Sequence, residues 1–86
     1  MKLKKEFIPY ETEKEAMLVP AGGAGFSGLV RGNRMLGAIL ELLKTDTTEE
    51  KLVSALNARF DAPEGAIAAD VKKALSELRR IGAVEE

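Results

Sequence analysis

Between residues 66 and 82 the apolar residues Ile67, Val71, Leu75, Leu78 and Ile81 recur at spacings of four, four, three and three. That spacing lines all five along one side of an α-helix, and a chain carrying such a stripe must find an opposing apolar surface to cover it. Gly82 directly after the last of them predicts a left-handed C-terminal cap. Asp61-Ala62-Pro63-Glu64 predicts the opening turn, where proline removes no needed donor. Only 86 residues are available to build the covering surface. We therefore expect one domain over residues 1–86, with its function carried on one surface.

The covering partners are legible upstream. Met35, Leu36, Ile39, Leu40, Leu42 and Leu43 form a helical face over about 34–44 too broad for a single stripe, so this helix belongs centrally among several neighbours. Asn33 is its expected N-cap. Thr47-Thr48-Glu49-Glu50 reads as a capping box, with the Thr47 hydroxyl and the Glu50 carboxylate reciprocating, ahead of a second helix carrying Leu52, Val53, Leu56 and Phe60.

Before residue 32 the pattern is different. Phe7-Ile8-Pro9-Tyr10 and Glu15-Ala16-Met17-Leu18-Val19 flank the polar Glu11-Thr12-Glu13-Lys14, which predicts a hairpin, and Phe26 to Arg31 predicts a third strand. Pro9 and Pro20 cannot donate to a ladder and belong on an edge or at a strand end. Three short strands followed by three helices make an α+β fold, a helix-turn-helix core with a small sheet beside it.

The residue inventory narrows function. With no His and no Cys, the chain has no imidazole base or ligand, no thiolate nucleophile and no disulfide framework. Its acids lack the spacing of a calcium loop, so no metal site is expected. Thirteen Lys and Arg against fourteen Asp and Glu, spread evenly over both halves, exert no bulk pull on nucleic acid or membrane. The longest uncharged run, Ala16 to Val30, is interrupted by Pro20 and four glycines and falls short of the about 20 apolar residues a membrane span needs. Met1 to Lys5 is basic, but Pro9 and Glu11 break the apolar stretch a signal peptide requires. The expectation is a cytoplasmic chain without a membrane partner.

Three local patterns suggest chemistry and fail on context. Gly23-Ala24-Gly25-Phe26-Ser27-Gly28 spells G-x-G-x-x-G, yet Leu29-Val30-Arg31-Gly32 reads as strand where the fingerprint requires a helix, and no following strand ends in an acid. Ser27 sits in G-x-S-x-L, without the final glycine of a nucleophile elbow and without a histidine base. Lys72, Lys73, Arg79 and Arg80 could face DNA from the last helix. Glu64, Asp70 and Glu77 nearly cancel them, and basic residues at a helix C-terminus are favoured by its dipole alone.

The series Thr48-Glu49-Glu50-Lys51-Leu52, Leu56, Phe60-Asp61, Asp70-Val71, Leu75, Leu78 and Gly82-Ala83-Val84, with Asn33 opening the first helix, resembles the PqqD-like family. The likeness runs from Asn33 to Val84. The chain departs from the family in the glycine-rich 22–28 stretch, in Gly32 where leucine is common, and in Leu40 where an aromatic is frequent. The resemblance implies a winged helix-turn-helix domain that is not an enzyme and carries no cofactor. Such a domain binds the leader of a ribosomally made precursor peptide and presents it to a modifying enzyme, often a radical S-adenosylmethionine enzyme; in the founding case the product is pyrroloquinoline quinone.

Carried over by position, the resemblance implies a peptide-binding edge at Phe26, Ser27, Leu29, Val30 and Arg31. The facing wall would be Asp70, Lys73, Glu77 and Arg80 on the last helix. Strand addition to such an edge needs no catalytic group, because main-chain hydrogen bonds supply affinity and side-chain pockets specificity. A winged-helix DNA-binding protein is the alternative.

Overall fold

The computed structural model describes residues 1–21 and 30–85. In chain order the elements are β1 (Lys2–Leu3), β2 (Phe7–Glu11), β3 (Ala16–Pro20), β4 (Val30–Gly32), α1 (Arg34–Leu42), α2 (Glu49–Arg59), α3 (Ala66–Arg80) and β5 (Val84–Glu85). The fold is α+β: an antiparallel sheet in the order β2-β3-β4, then three helices.

The hairpin pairs Phe7 with Pro20 and Glu11 with Ala16, and its turn is closed by Thr12, whose amide donates to the Glu15 carbonyl at 2.8 Å and whose hydroxyl accepts from the Glu15 amide at 3.1 Å. Alternation then decides the faces: Phe7, Ala16 and Leu18 turn inward and are buried, while Ile8 and Tyr10 stay exposed. Pro9 occupies the middle of β2, an outer strand of the sheet, and Pro20 ends β3, both positions a residue without an N–H tolerates. Of the expected third strand over 26–31, Val30 and Arg31 lie in β4, which runs Val30–Gly32; residues 26–29, with Phe26, Ser27 and Leu29, lie outside the described residues.

Helix α1 packs on the sheet and on α2, burying Ala38, Ile39, Leu40 and the following Leu43, and it ends at Leu42, two residues short of the expected 44. Asn33 is its N-cap, its side-chain oxygen accepting from the Leu36 amide at 3.3 Å. From α2 come Leu52 and Leu56, and from α3 and its end all five residues of the stripe, Ile67, Val71, Leu75, Leu78 and Ile81, all buried. Val53 and Phe60 pack against this core from its margin. Gly82 stops α3 at φ 74°, a left-handed conformation that side chains disfavour.

Two expected helix starts are displaced. Helix α2 is capped by Thr48, which accepts from the Lys51 amide at 3.2 Å, and not by Thr47. The backbone of Thr47 is already committed, donating to the Met1 carbonyl at 2.8 Å and accepting from the Met1 amine at 2.7 Å. With Thr48 as cap, the third helical residue is Lys51, which has no carboxylate to close a box; Glu49 and Glu50 instead sit in the first turn, where the helix dipole favours them. Helix α3 begins at Ala66, because Gly65 at φ 83° interrupts the right-handed path between Pro63 and the helix. Pro63 ends in a turn, its carbonyl accepting from the Ala66 amide at 3.1 Å.

A second, two-stranded sheet joins the ends of the described chain: Lys2 opposes Glu85 and Leu3 opposes Val84. No pattern in either dipeptide announces it. The strand β1 is also held on α1's exit, where the Leu3 amide donates to the Leu43 carbonyl at 2.9 Å. The Met1 amine adds an ion pair to Asp46 at 2.7 Å.

Candidate functional site

The short strand β4 is an outer strand of the sheet, and it leads through Gly32 and Asn33 directly into α1. The start of α1 and the middle of α3 face each other beside it, and between them lies a groove of about 360 Å³. Its apolar side is formed by Met35, Leu36, Ile39, Ala74 and Leu78. Ile39 and Leu78 are buried, while Met35, Leu36 and Ala74 are half-buried, so the floor continues the hydrophobic core outward. Polar groups frame it: Arg31 and Asn33 on the strand side, and Asp70, Lys73 and Glu77 on the α3 side, at the three- and four-residue spacing that keeps them on one helix face.

Of the residues expected from the sequence, Val30, Arg31, Asp70, Lys73 and Glu77 are brought together around this groove. Arg80 stands outside the lining. It is tied to Glu77, its Nε donating to Oε2 at 2.9 Å and its Nη2 lying 2.7 Å from the same oxygen. The Arg31 guanidinium is held 3.3 Å from the Glu15 carboxylate across the sheet. Both pairs are exposed, so each contributes only about 0.2–1 kcal/mol, and both remain available for exchange with an incoming charge. Phe26, Ser27 and Leu29 lie outside the described residues.

The apolar floor is what residue-by-residue reasoning missed. Its signal was present in α1: six apolar residues within nine positions exceed what one buried stripe uses, and Met35 and Leu36 are the surplus that reaches the groove. Ala74 carries no such signal, since an alanine one position from the α3 stripe reads equally as solvent-facing.

The sheet's two outer strands are not equivalent. Pro9 interrupts the donors of β2 at its centre, a device that discourages further strand pairing there, whereas β4 contains no proline and lies against the groove. An extended chain laid along β4 would meet backbone on one side and α3 on the other. Among the described residues, no group of three His, Cys, Asp or Glu side chains could hold a metal ion, and no helix is long and apolar enough to cross a membrane.

The structure of TbiB1 in complex with the TbiA(beta) leader peptide superimposes on this chain with a TM-score of 0.77, at 18% sequence identity, over 99% of this chain and 95% of that one. At that identity the likeness establishes a common fold. No curated protein matches the chain. Residues 15–84, from the second arm of the hairpin through the three helices into β5, match the model of coenzyme PQQ synthesis protein D (PqqD), and the chain belongs to that family.

Proposed function

We propose that this protein is a single-domain, non-catalytic peptide-recognition module of the cytoplasm. It captures the leader of a ribosomally made precursor peptide as an added strand on β4 and presents it to a modifying enzyme, of which a radical S-adenosylmethionine enzyme is the type we favour. The observation that carries this reading is the groove itself, an apolar floor of about 360 Å³ set between an outer strand without proline and a helix face bearing Asp70, Lys73 and Glu77. Such a site offers the three things extended peptides are recognised by: backbone to pair with, a pocket for alternate side chains, and charges at the rim. Membership of the PqqD family and a common fold with a leader-bound domain support the same reading.

The DNA-binding alternative draws no support from α3, whose Arg80 is neutralised by Glu77 and whose Lys73 lies between Asp70 and Glu77. Titration of isotope-labelled protein with leader peptides from precursors encoded nearby is the test. Amide shifts are expected at residues 30–33 and 70–78, with little change between low and moderate salt. Shifts confined elsewhere, or a steeply salt-dependent response to duplex DNA instead, would overturn the reading.

A further inference from the structure

Four of the chain's lysines, Lys2, Lys4, Lys5 and Lys44, line a second cavity of about 510 Å³ beside β1 and β2, together with only two acids, Glu6 and Glu85. In a chain of net charge −1 this is a marked local excess of positive charge. None of the four ammonium groups is in an ion pair or hydrogen bond with a described residue. Glu85 opposite Lys2, Glu6 in the lining and Asp46 near Lys2 offset this charge only in part, leaving four lysines against two acids in the lining.

The lysines are also displayed on fixed backbone. The Lys4 amide donates to the Ala83 carbonyl at 2.8 Å, the Phe7 amide to the Lys4 carbonyl at 3.1 Å, and the Lys44 amide to the Glu41 carbonyl at 3.2 Å. Ordered backbone lowers the entropic cost of engaging a partner. The rest of the lining is Leu3 and Phe7, both buried, and the half-buried Pro9.

From this placement we infer a second docking surface, one that takes an acidic segment of a partner protein. Charge complementarity selects the sign of the partner, and the mixed lining selects its class. Glu6 and Glu85 would repel a continuous phosphate backbone but can pair with basic residues interspersed in a polypeptide, while the half-buried Pro9 in the lining offers apolar contact that inorganic anions cannot use. This cavity shares no residue with the groove beside β4, and β2 and β4 lie on opposite sides of β3. A leader peptide and an acidic partner could thus be held at once, although the inference does not depend on what fills the groove.

The test is a titration of the full labelled chain with a synthetic Asp/Glu-rich peptide containing two leucines, in parallel with a duplex of about ten base pairs and with inorganic phosphate. The expected result is amide shifts at residues 2–7 and 44 with the acidic peptide, none at 30–33 or 70–78, and affinity falling several-fold between about 50 and about 300 mM salt. Lys4→Gln/Lys44→Gln should weaken binding about tenfold, whereas Lys14→Gln/Lys72→Gln, exposed and outside both cavities, should leave it unchanged. The inference is overturned by absent shifts, by tighter binding of duplex or phosphate, or by equal loss in both double variants with each correctly folded by circular dichroism.

Discussion

Leu36 fills the space that a side chain at residue 32 would need: a Cβ placed on Gly32 would lie 2.5 Å from Leu36 Cδ2 and 2.9 Å from Leu36 Cβ. Leu36, in the first turn of α1, thereby lines the groove next to a backbone that leaves no room for a side chain at position 32. Gly32→Ala should lower stability by about 1–3 kcal/mol in urea unfolding, as overpacking does, and weaken leader binding. Adding Leu36→Ala removes the contact with Cδ2 but not the one with Cβ, so the double variant should recover only part of the loss. Full stability in the single variant would refute this account of Gly32.

The groove floor can be filled from the margin of the core, without replacing a fully buried residue. Ala74 is half-buried and borders the groove, so Ala74→Arg places a long side chain where a peptide side chain would sit. Binding of a leader peptide should fall at least about tenfold by calorimetry, while the unfolding midpoint moves little, since changes at such margins stay within about ±0.5 kcal/mol. Retained affinity would place the peptide elsewhere.

Leu75 is fully buried at the centre of the α3 stripe. Leu75→Ala should cost about 2–5 kcal/mol, the combined loss of apolar transfer and of packing around the vacated space. For a domain of this size that is a large share of total stability, so chemical denaturation at low temperature is the suitable measurement.

The two threonines before α2 distinguish local capping from tertiary tethering. Thr48→Ala removes the acceptor for the Lys51 amide and should cost about 1 kcal/mol, whereas Thr47→Ala leaves intact the two backbone hydrogen bonds that Thr47 makes with Met1 and should cost much less. Thermal unfolding of the pair decides between them; a larger effect at Thr47 would restore the capping box.

Asp46 gives the chain a specific acid response. The Met1 ammonium, through a hydrogen bond first and its charge second, holds the Asp46 carboxyl below its ordinary value of 3.8; desolvation opposes this, and Lys2 and Lys51 add smaller help. A depressed folded-state value stabilises the fold at pH values above 3.8, and that contribution is lost as pH falls from there through the folded value. Asp46→Asn should therefore be less stable than the parent at neutral pH, and the difference should close on acidification below about pH 4. Acetylating the amine should act in the same direction. A gap that persists at pH 2–3 would show that the pair's charge is not its source.

What the sequence alone could determine was whatever acts over a few residues. Asn33 as a cap, the apolar periodicity of α1 to α3, the Gly82 stop and the hairpin all depend on neighbours within about one turn or one strand pair and are present, although the hairpin turn falls one residue on from the expected Glu11–Lys14 and Phe60 ends α2 as its C-cap. Local reading failed where a distant group competed for the same atoms. Thr47 was lost as a cap because Met1 holds its backbone, and Pro63 fell outside α3 because the left-handed Gly65 separates them. Lys2 and Glu85 gave no sign of pairing, since two-residue strands carry no period and their partner is set only when α1 and α3 bring the ends together. The same holds for the sites. Periodicity placed Asp70, Lys73 and Glu77 on one face of α3, but only packing set that face against β4 and the surplus apolar residues of α1, and only packing gathered Lys44 with Lys2, Lys4 and Lys5. A groove is a relation between surfaces distant in the chain, and its shape depends on how helices and strands settle against one core.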